Sequence, residues 1–501
     1  MPQQKTTKEA ASYGHVLKYT GLFGGVQVLT MLVALVRNKI AALLLGPSGM
    51  AIVALLNNAV SLINQGTNFG ISFSAVKHVA ELSETDEGAR MEPFVQTVRL
   101  WSLLTAALGM AVCFLCSPLL SRWTFEAPRY TPTFMLLSLM VAMLAITGGE
   151  IAILKGSKQL KKVAIVSTLT ALATLLICCP IYYFYGTAGI APALVLSQAA
   201  ILAVHLHFST KVFPWRLPIG QLRERLAAGR PMMKLGTAFI VAGIFGKGAE
   251  YLTRTLLLRL GSLSDVGLYS TGYALTVGYT SLVFMAIEAD FFPRLAACQG
   301  NRPQQNRTIN QQIEVCLLLI TPILIAAALF MPTIIRLLYS TAFYGAVPMA
   351  VCATFFMFFK SLTLPVAYLP LARGDSLMYM VTELADAIFV VVAIPLCFNL
   401  YGMRGAGLAL SLSGLLYMLL IHQLYRRRYG YRFARQPLPV YALQLLLLIA
   451  AVAAALSDSR ILHWMAGLPL LAISTLISLH ILRKRDALAQ LHFLHRRKKR
   501  R

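Results

Sequence analysis

Three charged residues lie close together in an apolar stretch of the sequence, residues 232–258. Lys247, Glu250 and Arg254 are three and four residues apart, a spacing that places all three on one face of a helix. In a membrane, such charges cost roughly 2.5–3.5 kcal/mol each and usually face a cavity or a partner. The two cations could therefore hold an anion such as a phosphate, which a guanidinium binds bidentately. The alternative is an internal ion ladder in which Glu250 neutralises one neighbour.

A second apolar stretch carries neutral polar residues at helical spacing. Asn57, Ser61, Asn64 and Asn68 recur at intervals of four, three and four, with Gln65 beside them. Amides both donate and accept hydrogen bonds, so a stripe that lines a water-filled lumen would suit sugar hydroxyl groups. Hydrogen bonds between helices, worth about 0.6 kcal/mol each in a membrane, are the alternative.

Single cations occur in two further apolar stretches. Lys360 lies in the middle of 346–371 and has no acidic residue one turn away, which favours a water-filled lumen over lipid. Arg37 and Lys39 follow the first stretch and are weaker candidates, because both could simply anchor its end.

Acidic residues inside the apolar stretches are the natural binding groups for a coupling ion, because a buried carboxylate can take up a proton or share a cation. Glu383 and Asp386 are three residues apart and could share one cation. Each acid could equally be a structural partner of Lys360, Arg294 or Lys247. The candidates are Glu150, Glu250, Glu288, Asp290, Glu383 and Asp386.

The composition identifies the elements that must position these residues. Hydrophobic residues make up 57% of the 501 and charged residues only 13%, and the mean hydropathy is +0.68. Many apolar runs reach the roughly 20 residues that cross a bilayer core, and in lipid such runs must be helices. The sequence predicts a polytopic all-α membrane protein with fourteen transmembrane helices, near 15–36, 51–76, 97–120, 132–154, 163–184, 188–209, 232–258, 266–292, 312–335, 346–371, 377–399, 404–424, 438–456 and 461–482.

The distribution of Lys and Arg predicts the orientation. With the N-terminus inside, 34 of the 45 basic residues fall on the cytoplasmic side, 9 fall outside, and Lys247 and Lys360 lie mid-span. This bias predicts that both termini are cytoplasmic. It also accounts for the net charge of +26 without nucleic acid as a partner. Basic segments such as Arg426–Arg428 and the tail 496–501 should attract anionic lipid.

The sequence also contains an internal repeat. Residues 185–197, YGTAGIAPALVLS, match residues 401–413, YGMRGAGLALSLS, at seven of thirteen positions. Further landmarks recur at nearly the same offset, such as Lys155-Gly156 with Arg373-Gly374 and Gly46 with Gly261. We interpret the Tyr-Gly motif as a short outer turn that marks the register of the repeat, rather than as a binding site.

The repeat predicts two lobes of six helices. Because six is even, the copies share one orientation, and transporters built in this way bind substrate between the halves. The predicted segments are a cytoplasmic N-terminus (1–14), an N-lobe (15–211), a linker (212–231), a C-lobe (232–425), a basic loop (426–437), two added helices (438–482) and a polybasic tail (483–501).

Several short motifs carry a resemblance to a known family. They are the L-G-P-S-G turn at 45–49, the polar second helix, V-K-H-V-A-E at 76–81, K-G at 155–156, A-R-G-D at 372–375 and the Y-G-x-x-G turns. Over about residues 14–425 the chain resembles Wzx-type polysaccharide translocases, which are the O-antigen and enterobacterial-common-antigen flippases of the MATE-like MOP superfamily.

The resemblance implies a function and a location. Such proteins move undecaprenyl-pyrophosphate-linked oligosaccharides from the cytoplasmic to the periplasmic leaflet of the bacterial inner membrane, for lipopolysaccharide and related polymers. Their lumen is typically cationic, and Lys247, Arg254 and Lys360, which are selected here by their chemistry, would suit a pyrophosphate in such a lumen. An ion gradient drives the cycle, so proton or sodium coupling is expected and no other cofactor. A polysaccharide polymerase or its chain-length machinery is a further expected partner.

Other function classes fit the sequence less well. A drug or metabolite exporter of the same superfamily should have an acidic lumen, whereas the mid-span residues here are largely basic. A major facilitator would carry G-x-x-x-D-R-x-G-R after the second span, where residues 77–92 read KHVAELSETDEGARME. A membrane-embedded polymerase or glycosyltransferase needs a large outer loop or an acid–base cluster, and the predicted outer loops are short. We therefore expect no enzymatic activity.

Overall fold

All regular elements of the described chain are helices. The computed structural model describes the backbone of residues 3–84, 88–216, 222–298, 300–457 and 459–498, and most side chains between 26 and 484. This confirms the all-α prediction. The α-helices are α1 (Gln3–Thr67), α2 (Ile71–Glu84), α3 (Gly88–Phe125), α4 (Thr131–Gly156), α5 (Leu160–Tyr185), α6 (Ile190–Thr210), α7 (Leu222–Leu260), α8 (Leu263–Tyr273), α9 (Tyr279–Ala297), α10 (Arg302–Leu338), α11 (Val347–Cys352), α12 (Thr354–Ala367), α13 (Leu369–Arg373), α14 (Ser376–Tyr429), α15 (Leu438–Ala455) and α16 (Arg460–Lys498).

The helices account for the fourteen predicted spans. Nine helical stretches among the described residues are long and apolar enough to cross a membrane. Three of these hold two spans each, with a break at Gly46, Gly186 or Gly402. The remaining two spans are α7 and the α8–α9 pair, which carry charged residues within the predicted membrane stretch. The chain is therefore a multi-pass membrane protein.

The chain forms two compact units, residues 1–247 and 248–501, here called the N-terminal and C-terminal units. In the N-terminal unit, α4 packs against α2, α3 and α6. Glycines on α4 permit this close packing: a β-carbon on Gly149 would stand 2.1 Å from Ser102 Oγ on α3, and one on Gly156 would stand 2.6 Å from Val79 Cβ on α2.

In the C-terminal unit, α12 packs against α10 and α14, and the last two helices pack against α10. Hydrogen bonds join the last two helices: Gln444 Nε2 on α15 donates to Ser478 Oγ at 3.0 Å and Ser474 Oγ on α16 donates to Gln444 Oε1 at 2.6 Å. His463 Nε2 lies 3.0 Å from the carbonyl oxygen of Leu329 on α10. Two helices thus follow the duplicated part, as predicted.

The repeated Tyr-Gly motif forms the same turn in both copies. Gly186 has φ 54° and ψ −132°, and Gly402 has φ 58° and ψ −141°, a region that essentially only glycine adopts. The second glycine of each motif packs tightly: a β-carbon on Gly189 would stand 2.9 Å from the Ile181 carbonyl oxygen, and one on Gly405 would stand 2.0 Å from that of Cys397. The interpretation of this motif as a turn is confirmed.

The same G-x-x-G turn occurs a third time, between the first two spans. Gly46 has φ 63° and ψ −174°, and a β-carbon on Gly49 would stand 2.5 Å from Leu45 Cβ. The landmark that the sequence paired with it, Gly261, does not share this positive φ. There α7 ends and Ser262 caps α8 through reciprocal hydrogen bonds with Asp265.

Three spans are irregular. The second span is interrupted after Thr67, where Phe69 and Gly70 have φ 47° and 65°. The eighth contains a π-helical turn at Ala274–Gly278, and the tenth is divided into α11, α12 and α13. Irregular backbone at membrane depth is tolerated where it is buried in protein or lines a cavity, so these positions direct attention to the polar residues beside them.

Candidate functional site

A cavity of about 220 Å³ that is lined by charged and apolar residues lies in the C-terminal unit. Lys360 enters it from α12, whereas Glu383 and Asp386 enter from α14 and lie one turn apart. Three of the residues singled out in the sequence are thus brought together, although they come from different predicted spans. The lining residues are Phe356, Lys360, Thr363, Leu364, Ala367, Tyr379, Glu383, Asp386, Gly414 and Tyr417.

The charged groups of this cavity are only partly satisfied. Tyr417 donates to Glu383 Oε1 at 3.4 Å. Asp386 Oδ1 is buried and has no hydrogen-bond partner among the described residues. The Lys360 ammonium lies 5.9 Å from the centre of the Phe356 ring. Two carboxylates facing one ammonium leave a net negative charge when all are ionised, so the cavity can accept one monovalent cation or one proton.

Glu250 and Arg254 form an ion pair at the start of the C-terminal unit. Arg254 Nη1 lies 3.8 Å from Glu250 Oε2 and donates to the Glu250 carbonyl oxygen at 3.0 Å. Arg254 is buried, its Nε donates to Ser270 Oγ at 3.2 Å, and its guanidinium lies over the rings of Tyr269 and Tyr273. This ion pair is the one expected if Glu250 neutralises a neighbouring cation within the helix, which was the alternative interpretation of the sequence. It also fixes the direction of the Arg254 side chain.

The remaining acidic candidates occupy separate positions. Glu288 Oε2 accepts a 2.7 Å hydrogen bond from Tyr368, whereas the side chain of Asp290 lies outside the described residues. Glu150 is 1% exposed and pairs with Arg99 at 2.9 Å, and Ser209 donates to the same carboxylate. No group of three or more His, Cys, Asp or Glu residues in the described part of the chain is placed to hold a metal ion.

Arg99, the partner of Glu150, is not among the candidates predicted from the sequence. Arg99 is 1% exposed, donates to the Pro214 carbonyl oxygen at 3.0 Å and stacks on Trp215 with 4.8 Å to the ring centre. The cluster therefore fastens the residues after α6 to α3 and α4. Only the position of Arg99, just inside the third apolar run, could have indicated a buried role.

The asparagine stripe of the second span lies beside the interruption after Thr67. Asn68 is 8% exposed, and the Oδ1 atoms of both Asn64 and Asn68 are buried without a hydrogen-bond partner in the described part of the chain. Asn57, by contrast, donates to the Val53 carbonyl oxygen one turn earlier. The stripe thus offers two unused acceptors where the helix is broken.

Lys247 and Arg37 are the other predicted cations of the N-terminal unit. Both side chains are half-buried, and Arg37 Nη2 donates to Asn38 Oδ1 at 3.1 Å. Arg37 does not end its helix, because α1 continues to the break at Gly46. It therefore lies within the helix rather than at its end.

Comparison with solved structures identifies the fold. The chain shares the fold of an inward-facing MATE family multidrug resistance transporter of the MOP superfamily, with a TM-score of 0.67 and 14% identity over 80% of this chain and 94% of the transporter. The inward closed lipid II flippase MurJ gives a TM-score of 0.67 and 13% identity over 93% and 99%. A MOP superfamily transporter from Pyrococcus furiosus gives 0.54 and 13% over 82% and 93%. The fold is that of MOP superfamily transporters, as predicted.

The family follows from the sequence match. Residues 40–348 match the family model described as polysaccharide biosynthesis protein, and the chain belongs to this family. No curated protein sequence matches the chain. The predicted resemblance to Wzx-type members of the MOP superfamily is thus confirmed in family and fold.

Proposed function

We propose that the protein is a flippase for lipid-linked oligosaccharides. It would move an undecaprenyl-pyrophosphate-linked glycan, such as an O-antigen or common-antigen unit, from the cytoplasmic to the periplasmic leaflet by alternating access. Both termini would be cytoplasmic and the membrane the bacterial inner membrane. The observation that carries the proposal is the polysaccharide biosynthesis family, together with a fold shared with a lipid II flippase over 93% of the chain.

The predicted cations would bind the pyrophosphate. Lys247, Arg254 and Lys360 lie at membrane depth, with Arg37 as a fourth. Charge-assisted hydrogen bonds from Lys and Arg to phosphate oxygens are strong and suit a dianionic headgroup. Arg254 is already oriented by Ser270 and Glu250, which lowers the entropy lost when it binds.

The asparagine stripe would meet the sugars. Free amide oxygens on Asn64 and Asn68 can accept hydrogen bonds from hydroxyl groups, and their amide nitrogens can donate to ring and hydroxyl oxygens. Asn57 would extend this surface by one turn. A glycan would satisfy the buried acceptors that the protein leaves open.

The cavity of the C-terminal unit would bind the coupling ion. Glu383 and Asp386 supply two carboxylates, and the unpartnered Asp386 oxygen is the group most available to a proton or a sodium ion. We expect Asp386→Asn to abolish the acceleration of transfer by an imposed gradient while leaving slow, gradient-independent transfer. Glu126→Gln, which removes an exposed acid, serves as the control and should keep its gradient dependence.

Transfer of a fluorescent undecaprenyl-pyrophosphate oligosaccharide between leaflets of proteoliposomes tests the function. We expect wild type to catalyse transfer and Lys247→Ala, Arg254→Ala and Lys360→Ala each to reduce its rate by about tenfold or more, as for a lost charge-assisted contact. Arg404→Ala removes an exposed charge and should match wild type. Normal rates in all three variants would remove the proposed site, and no transfer by wild type would contradict the flippase.

One observation favours a second candidate, a MATE-like exporter. The carboxylates of Glu383 and Asp386 in one cavity would suit an organic cation. Gradient-driven efflux of cationic dyes by wild type, without glycan transfer in the same vesicles, would support that candidate instead.

A further inference from the structure

We propose that the C-terminal unit binds the phosphate group of a lipid at a site formed by Arg302, Arg373 and Gln305. The site lies where α10 begins and where α13 and α14 end, which is the predicted cytoplasmic end of the unit. It is separate from the cavity that contains Lys360, and the proposal does not depend on the flippase function.

The first observation is an arginine without an acidic partner. Arg373 is half-buried, and both its Nε and its Nη2 donate to a single oxygen, Gln305 Oε1, at 3.2 and 2.6 Å. Its guanidinium stacks on Tyr429, with 5.0 Å to the ring centre. A neutral amide oxygen therefore receives two bonds from a charged group, and no carboxylate in the described part of the chain neutralises it.

The second observation is a buried donor beside this arginine. Gln305 is 1% exposed, yet its Nε2 has no hydrogen-bond partner among the described residues. The two polar atoms of one amide are about 2 Å apart by covalent geometry, so this nitrogen lies close to the Arg373 guanidinium. A buried donor without an acceptor is unfavourable, and an anion bound here would accept its hydrogen bond.

The third observation is a second guanidinium. Arg302 is exposed, and its Nη1 lies 3.8 Å from the point where a β-carbon on Gly430 would stand. Gly430 directly follows Tyr429, on which Arg373 stacks, and the two arginines are close enough to repel each other. An anion between them would convert this repulsion into attraction, and two guanidiniums suit the oxygens of a phosphate.

The nearby acid does not occupy the site. Asp375 Oδ2 accepts from Tyr429 at 2.8 Å and lies 3.5 Å from Arg428 Nη2, while its Oδ1 accepts from the Met378 backbone N–H. Its carboxylate is thus committed to the start of α14. The net charge around the site therefore remains positive. Arg426 and Arg427 add exposed positive charge on the same turn of α14.

Hydrogen bonds join the elements that surround the site. Asn310 on α10 donates to the Arg432 carbonyl oxygen at 2.9 Å and accepts from the Ala434 N–H at 2.8 Å, and Asn306 donates to the Gly430 carbonyl oxygen at 3.4 Å. These bonds fasten the chain after α14 to the first turns of α10. The positive end of the α10 dipole also lies here, which favours an anion.

The predicted topology puts the site at the membrane surface, and we therefore infer that the partner is a lipid phosphate. Two sources carry this group: an anionic membrane phospholipid and the pyrophosphate of a lipid-linked glycan before it is moved. Both offer several oxygens to two guanidiniums and an amide. The experiment below separates them.

Lipid binding to the purified full-length protein in neutral detergent tests the proposal. Native mass spectrometry would follow titrations with phosphatidylglycerol, undecaprenyl diphosphate and, as the neutral reference, phosphatidylcholine. We expect saturable binding of anionic lipid that includes one component weakened about tenfold by Arg302→Gln and by Arg373→Gln, as for the loss of a charge-assisted hydrogen bond. Gln305→Glu should weaken it at least as much, because the new carboxylate would pair with Arg373.

The matched control is Arg307→Gln. Arg307 is exposed and lies five residues after Arg302 on α10, about 140° around the helix. We expect Arg307→Gln to change the affinity for anionic lipid by less than about twofold at physiological salt, because charges are screened there beyond about 8 Å. Equal weakening by all three arginine variants would show diffuse attraction and overturn the site, as would unchanged binding in Arg302→Gln, an exposed substitution that leaves the fold intact. Preference for undecaprenyl diphosphate would assign the site to the substrate, and preference for phosphatidylglycerol to the membrane.

Discussion

At the scale of single residues, the ion pair between Arg99 and Glu150 is the most completely buried charge interaction in the described N-terminal unit. Both side chains are 1% exposed, so each would be costly to bury alone. Ser209, the Pro214 carbonyl oxygen and the Trp215 ring satisfy the remaining polar capacity of the pair. Because its oxygens are occupied in this way, Glu150 is better suited to a structural role than to binding a coupling ion.

Glu150→Ala tests this role. It leaves the Arg99 charge buried and uncompensated, and we expect it to lower the free energy of unfolding by about 3–5 kcal/mol. The double variant Arg99→Met/Glu150→Met should recover most of the loss, because it removes both charges. Thermal unfolding in detergent measures both effects. Wild-type stability in the single variant would contradict the structural role.

Asp375 gives a prediction on pH. The hydroxyl of Tyr429 holds the pKa of this carboxyl below its usual value, with further contributions from the Met378 N–H and Arg428. A lowered folded-state pKa stabilises the protein above the unfolded value of about 3.9, and the contribution is lost as the pH falls toward the folded value.

We therefore expect Tyr429→Phe to lower the melting temperature at pH 6 and to reduce its further fall between pH 4 and pH 3. Tyr431→Phe is the matched control. The Tyr431 hydroxyl is buried and has no partner among the described residues, so its removal should be neutral or slightly stabilising. Parallel melting curves for wild type and Tyr429→Phe over this range would refute the assignment.

The sequence identified the three charged residues of the cavity but not their grouping. Lys360, Glu383 and Asp386 were candidates because each is polar in an apolar run, yet nothing in the spacing joins position 360 to position 386. Arg99 and Glu150 are 51 residues apart, and such pairing depends on how helices pack. The same limit applies to Gln305 and Arg373, of which the sequence marked only the second, as a landmark of the repeat.

At the scale of elements, the G-x-x-G turn explains why the sequence identity between the two halves of the chain is highest at residues 185–197 and 401–413. The first glycine supplies a backbone conformation that other residues avoid. The second lies against the carbonyl oxygen or the β-carbon of an earlier residue on the incoming helix. The glycines that are identical in the two copies therefore lie where the backbone conformation requires glycine, rather than where a ligand would bind.

Gly405→Ala should be strongly destabilising, because its β-carbon would stand 2.0 Å from the Cys397 carbonyl oxygen. Overpacking of this kind costs about 1–3 kcal/mol, and Gly402→Ala should cost a similar amount through its backbone conformation. Gly246→Ala is the control: it lies within α7 with nothing within 4 Å and should stabilise by about 0.5–1 kcal/mol. Thermal unfolding compares the three variants, and equal melting temperatures would show that the turn tolerates a side chain.

Helix positions followed from hydropathy, whereas irregularities within helices did not. The break after Thr67 and the π-helical turn at Ala274–Gly278 lie within apolar runs that the sequence predicts as continuous helices. At the π-helical turn, Thr276 donates a 2.9 Å hydrogen bond to the Ala350 carbonyl oxygen of α11. The pattern of apolar residues does not predict such contacts between helices.

At the scale of the whole molecule, the distribution of basic residues makes a prediction about topology. Each six-span copy returns the chain to the side of the membrane where it began. The cytoplasmic loops of both halves should therefore carry the excess of Lys and Arg. The orientation and the boundaries of the predicted lobes stay predictions, whereas the multi-pass architecture is confirmed by the helices.

Fusion reporters test the orientation. We expect alkaline phosphatase inserted in the turn at Gly402 to be active and the same enzyme fused after Gly430 to be inactive. Green fluorescent protein at the C-terminus should fluoresce, because it folds only on the cytoplasmic side. The reverse pattern at Gly402 and Gly430 would show that the chain is inserted the other way round.

The buried pair of Arg99 and Glu150 also has a consequence for biosynthesis. Ribosomes add roughly 5–20 residues per second, so the 51 residues between the two partners take about 3–10 s to make. Throughout that interval Arg99 is a charge without its counter-ion. Its place near the start of the apolar part of α3 lets the long side chain reach the aqueous interface while it waits. Closure of the pair then marks the moment at which the third and fourth spans have met.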